Sequence, residues 1–172
     1  MHRRHFLIAA AAVPLTACGT AEVGTFPTIA AAQSALDAVL KAPHRSSAGW
    51  PLPQVLEHAA QSIEYSLNGF PQMKPAWFQN TAGAVAFAAF DAFGKMRHSL
   101  TEPIPGAPAL SASTLEPAVA RLKQAFTAFE SQRGHLYPHM YPHFAYGVLS
   151  HAEYARAHLM HLANHWTGVV RA

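Results

Sequence analysis

An all-α fold is what this sequence predicts, on three observations. Apolar residues recur at spacings of three and four, no segment sustains strict alternation, and proline and glycine gather between the periodic segments. The chain has 172 residues, 51% of them hydrophobic, which is material for one domain with a real core but not for two. Charged residues are only 12% and mean hydropathy is +0.06, which excludes disorder, a nucleic-acid-binding tail and a solvated coiled coil. The expected architecture is a bundle of four long helices with an additional short helix and long loops.

The first element along the chain is a leader. Met1-His2-Arg3-Arg4-His5-Phe6-Leu7 is basic, residues 6–15 are an apolar run too short to span a bilayer, and Leu15-Thr16-Ala17-Cys18 follows. Residues 1–17 therefore read as a signal peptide. The Arg-Arg-x-Phe-Leu run resembles a twin-arginine signal, and Leu-Thr-Ala-Cys resembles a bacterial lipobox, in which Cys18 becomes the lipidated first residue. The plainer alternative is an ordinary cleaved signal with an incidental cysteine. Removing Arg3 and Arg4 from the twelve basic residues leaves ten against nine acidic ones, so the pI of 9.2 is partly the leader's and implies no nucleic-acid partner. With its only cysteine lipidated, the domain has no thiol for disulfides, nucleophilic catalysis or metal ligation. A metal site must then use histidine and oxygen.

Residues 18–27 are small and polar and read as a tether; the domain occupies 28–172. Ile29, Ala32, Leu36, Val39 and Leu40 form the stripe of a first helix that Pro43 stops. Pro51 and Pro53 open a second, carrying Leu56, Ala59, Ile63 and Leu67 and closed by Asn68-Gly69. A third, from about Trp77 to Phe93, is apolar nearly all round and is expected to be deeply packed. Residues 97–112 hold Pro103, Pro105, Gly106 and Pro108 and read as irregular. Ser113 and Glu116 make a capping-box signature before Leu115, Val119, Leu122, Phe126 and Phe129, a helix that ends at Gly134. A loop with Tyr137-Pro138-His139 and Tyr141-Pro142-His143 follows, and both histidines read as turn residues rather than ligands. Ser150 and Glu153 make a second capping box for a last helix running to about Val169.

Twelve histidines against nine carboxylates is the unusual count. His158, His161 and His165 share a stripe about 60 degrees wide on the last helix. His161 and His165, one turn apart, can both reach one divalent ion. A third ligand must come from another helix, and the second offers His58, with Gln61, Ser62 and Tyr65 along its polar strip. Three neutral histidines would leave positions for water or substrate, as in catalytic zinc sites. The plain alternatives are that Tyr65 is a core aromatic and that His158 caps a polar patch. No pair of carboxylates is spaced for acid/base work.

Several stretches together resemble a known family. They are Pro53-Gln54-Val55-Leu56-Glu57-His58-Ala59-Ala60-Gln61-Ser62-Ile63-Glu64-Tyr65-Ser66, Gly69-Phe70-Pro71, Pro103-Ile104-Pro105-Gly106-Ala107-Pro108, His143-Phe144-Ala145-Tyr146-Gly147 through Glu153-Tyr154, and His161-Leu162-Ala163-Asn164-His165. Over residues 30–168 the chain resembles the DinB-like superfamily, nearest to its domain of unknown function 1569. The resemblance implies a four-helix bundle and a divalent metal, Zn or Ni, on His58, His161 and His165. Characterised relatives include thiol S-transferases and a thiol-dependent isomerase. The branch usually follows its last histidine with Arg-Gln, where this chain has Trp166-Thr167-Gly168.

The expectation is an exported, periplasm-facing lipoprotein, anchored to the membrane at Cys18, that binds a divalent metal and acts on an unknown small molecule as a hydrolase or thiol transferase. Tyr65 and Gln61 are the candidates for orienting the substrate. The alternatives are a non-catalytic metal- or ligand-binding module and a structural lipoprotein whose histidines bond one another. An all-histidine site suits Zn, Ni, Fe and Cu alike. The low charged fraction is compatible with an apolar homodimer surface.

Overall fold

The computed structural model describes residues 25–135 and 140–172. The leader, Cys18 and His139 lie outside these residues. The protein is mainly helical, with one small two-stranded sheet. Helix α1, Ile29–Lys41, starts at Thr28, whose hydroxyl accepts the Ala31 N–H at 3.1 Å. Its buried face is Ile29, Ala32, Leu36 and Val39, while Leu40, at the edge of the stripe, is exposed. Helix α2, Leu52–Asn68, has its prolines in the first turn, where no N–H is missed. It ends at Gly69, which takes a φ of +95° that a side chain would resist. Every residue from Val55 to Ile63 is buried, so α2 is the central helix of the domain.

Against α2 pack α5 (Leu115–Glu130) and α6 (His151–Trp166), and α1 packs in turn on α5 and α6. Leu36, Leu56, Ile63, Leu122, Phe126, Phe129, Tyr154 and Met160 meet in their common core. The Ser150–Glu153 capping box on α6 forms in both directions: the Glu153 N–H donates to Ser150 Oγ and the Ser150 N–H to Glu153 Oε2. The Ser113–Glu116 box does not. Thr114 is the N-cap of α5, without a side-chain bond, which puts Glu116 one position short of the third residue that the box needs.

The start of α5 is held from α2 instead. The Glu57 carboxylate accepts the N–H groups of Ser111 and Ala112, both at 2.7 Å, and pairs with Arg121 at 3.3 Å. Glu57→Ala leaves those amides half-buried and without partners. The expected loss is about 2 kcal/mol, a fall in Tm of roughly 4–8 °C, with faster amide exchange at Ser111 and Ala112.

Two further differences from the sequence reading have physical causes. The third helix is broken into α3 (Ala76–Phe78), a π-helical turn (Gln79–Gly83) and α4 (Ala84–Phe93), and it is mostly exposed. Phe87 is buried, but Val85 is 70% and Phe93 74% exposed. Alanine is favoured in helices by propensity on any face, so an alanine-rich helix reads as apolar without being packed. The last helix stops at Trp166 rather than near Val169. Its final residues form strand β2, Val169–Arg171, antiparallel to β1, His44–Ser46, with Arg45 opposite Val170. A three-residue strand is too short to show alternation, and this ribbon exists only because the two segments meet.

Among the described residues no helix is long and apolar enough to cross a membrane.

Candidate metal centre

The packing of α6 on α2 brings His161 and His165 against His58. His58 Nε2 and His161 Nε2 stand 3.0 Å apart, and one ring nitrogen from each of the three residues lies within 4.8 Å of the others. Two ligands held at 2.0–2.1 Å in a tetrahedral arrangement would be about 3.3 Å apart. His58 and His165 are buried; His161 is half-buried, with its ligand atom enclosed.

Two nitrogens of this group, His58 Nδ1 and His165 Nε2, are buried without a hydrogen-bond partner among the described residues. Such groups are rare in native interiors because each forfeits the hydrogen bond it had in water. Burial pushes the pKa of His58 down to about 4 and that of His165 to about 3, and it holds His161 well below the usual value. Neighbouring imidazoles add to each shift: His98 beside His58, His58 and His98 beside His165, and His58, His165 and His98 beside His161. At neutral pH all three imidazoles are therefore uncharged, the form that ligates metals. Uncharged imidazoles, no thiolate and an unpartnered buried nitrogen are a donor set that fits a divalent ion of the Zn, Ni or Cu type.

Two residues complete the surroundings that sequence reasoning missed. Trp50 lies 4.9 Å from the His58 ring and 6.0 Å from the His165 ring, centroid to centroid. The β1–β2 ribbon puts it there, through Ser47, whose N–H and hydroxyl both donate to the Gly168 carbonyl at the end of α6. His98, from the loop after α4, packs its ring at a tilt on His161 and edge-on against His165. Nothing in local spacing marks either residue, because both reach the site through loops.

A cavity of about 280 Å³ opens beside the cluster. His58, His161 and Ser62 border one part of it, and His143, Tyr146 and His158 another. It is at the small end for ligand sites. Neither Gln61 nor Tyr65 is among its lining residues: the Gln61 amide reaches the Pro108 carbonyl at 3.5 Å, and Tyr65 packs on Phe70. Of the polar strip on α2, Ser62 lines the cavity.

A family model described as a protein of unknown function, DUF1569, matches residues 22–172, which take in every helix and both strands. The chain belongs to the DUF1569 family. No curated protein and no solved structure matches it.

In this DUF1569 protein, two more histidines are buried, His158 on α6 and His143 in the loop before it. His158 Nε2 lies 3.2 Å from Ser66 Oγ, whose own proton goes to the Ile63 carbonyl, so Nε2 is the donor and Nδ1 carries the lone pair. Its ring stacks on Tyr154 and meets Phe129 edge-on. His143 sits in the turn that its backbone closes with Gly147, as a turn residue should, but its Nδ1 also accepts the N–H groups of Ala145 and Tyr146. Its ring stacks on Tyr146 and contacts Phe70, Phe144 and Tyr154.

Burial lowers the pKa of both to about 3, helped by His158 beside His143 and by His151 beside His158. Unfolded, these imidazoles titrate near 6.5. Below that pH the unfolded chain takes up protons that the folded chain refuses, so stability falls as pH drops from about 6.5 toward 3. Each contributes a slope of up to about 1.4 kcal/mol per pH unit. Urea midpoints measured from pH 7 to 4 should decline steeply, and the slope should flatten in His158→Gln. An unchanged slope in that variant would remove His158 from the account.

Proposed function

We propose that this DUF1569 protein is a metal-binding helical domain of the DinB-like four-helix-bundle type, holding one divalent ion on His58, His161 and His165 at the wall of a ligand cavity. The observation that carries this is the convergence of three uncharged imidazoles from two helices, with buried nitrogens that have no hydrogen-bond partner among the described residues. A bound divalent ion supplies Lewis acidity, which polarises a carbonyl and favours the deprotonated form of water or a thiol. The chain's residues do the rest. Trp50 covers His58 and His165 and keeps bulk water from them. Ile104, Phe144 and Tyr146 give the cavity an apolar wall, so the molecule it takes is small and largely apolar. Ser62 and His143 are the polar groups placed to fix its orientation.

This reading is a metal-dependent hydrolase or thiol transferase working outside the cytoplasm. Its support for export is the leader before Cys18, and a lipid on that residue would hold the domain at a bacterial membrane surface. A twin-arginine route exports folded proteins and so allows the metal to be loaded first.

Elemental analysis tests the centre. Protein stripped with chelator and reconstituted with Zn²⁺, Ni²⁺ or Mn²⁺ should retain one equivalent of Zn or Ni after gel filtration. Metal at background with all three ions would end this reading. Turnover of small esters and thiol conjugates by the loaded protein then separates an enzyme from a binding module.

A further inference from the structure

A fourth imidazole stands against the three. The rings of His58, His161 and His165 are spaced 4.8 to 5.0 Å apart, centroid to centroid. His98 lies 5.0 Å from His161 and 5.1 Å from His165, centroid to centroid, so its ring borders the cluster, although the ring nitrogens that all lie within 4.8 Å of one another are those of His58, His161 and His165 alone.

Its protonation is set by its neighbour. His98 Nδ1 is 2.8 Å from the Ser99 carbonyl, which can only accept, so Nδ1 carries the hydrogen and Nε2 carries the lone pair. Metal-ligating histidines characteristically donate their second ring N–H to a carbonyl or carboxylate, because that bond selects the tautomer and aims the lone pair. The loop is also tied to the helix that bears the ligands. Asn164, between His161 and His165 in sequence, donates its side-chain amide to the His98 carbonyl at 3.2 Å, and Met96 is buried two residues earlier.

We infer that His98 is a fourth, loop-borne ligand of the ion held by His58, His161 and His165, an assignment that rests on the metal reading above. Four neutral imidazoles make a donor set that takes Zn²⁺, Ni²⁺ or Cu²⁺ in preference to Mg²⁺ or Ca²⁺. The cavity wall beside them carries both signs of charge, Lys74 and Glu102.

The test compares wild type with His98→Ala and His98→Phe, the second of which keeps a ring against His161 and His165 but has no lone pair. Zn-loaded samples are measured by X-ray absorption to count imidazole ligands, and Zn²⁺ affinity by chelator competition. Wild type should show four imidazoles and both variants three, with affinity weaker by about ten- to a hundred-fold or more. Far-UV circular dichroism and melting of the metal-free proteins should be unchanged, since His98 lies on a loop outside the core. Three imidazoles in all the proteins, with affinities within about twofold, would overturn the assignment of His98 and leave the three-histidine centre standing. A wild type that holds no ion would instead overturn that centre, and His98 with it. If His98→Ala fails to fold, the ligand count of His98→Phe decides alone.

Discussion

His161→Ala is expected to abolish metal-dependent stabilisation. The wild-type protein should gain about 2.7 kcal/mol when free Zn²⁺ is at a hundred times its Kd, which raises Tm by roughly 5–11 °C. The variant should show no shift at that concentration, because His161 is the member of the group closest to His58, at 3.0 Å between ring nitrogens. Its affinity should fall by more than the ~100-fold that losing a supporting residue can cost. The metal-free melt should move little by comparison: the imidazole is half-buried, and its hydrogen-bond partner among the described residues is His58. Thermal melts with and without Zn²⁺ check this. The same metal-induced shift in the variant as in wild type would place the ion elsewhere.

Gly83→Ala has the largest effect expected on the fold around the cavity. Gly83 ends the π-helical turn, and a Cβ there would lie 1.8 Å from the Ala145 carbonyl oxygen and 3.2 Å from that of Phe78. Both obstacles are backbone, so no side chain can swing aside. Elsewhere Gly→Ala inside a helix helps by about 1 kcal/mol; here the clash should reverse the sign and cost about 3 kcal/mol or more. Ala145 is also part of the cavity wall, and its N–H is one of the two that donate to His143 Nδ1 and hold that ring's tautomer. Relief of the clash must push the 143–147 turn outward. The variant should melt well below wild type and show altered Tyr146 environment in near-UV circular dichroism. A melt equal to wild type would mean that the turn and the loop do not touch as described.

The extent of what was legible follows the range of the interactions. Thr28, Pro51, Pro53, Ser150 and Glu153 act within one turn of their own positions, and the helix starts they mark are where periodicity puts them. His161 and His165 are neighbours by helical geometry alone. The approach of His58 to them needs α2 packed on α6, and the apolar stripes of both helices already imply that they pack. By contrast, the Ser113–Glu116 signature failed because Glu57, on another helix, holds the preceding amides and the helix begins one residue later. The alanine-rich third helix read as core because composition does not distinguish propensity from burial.

What the sequence determined by itself is therefore the helical class, the main caps and the two-helix pattern of three histidines, all consequences of local geometry and of apolar faces seeking cover. Tertiary structure decided the rest: the β1–β2 ribbon, Trp50 over the cluster, His98 beside it, Ser62 rather than Gln61 or Tyr65 at the cavity, and Gly83 against Ala145. Each of these is a contact between segments remote in the chain. Spacing in sequence carries no information about such contacts, because loops and a π-helical turn set the distance and direction at which the segments meet.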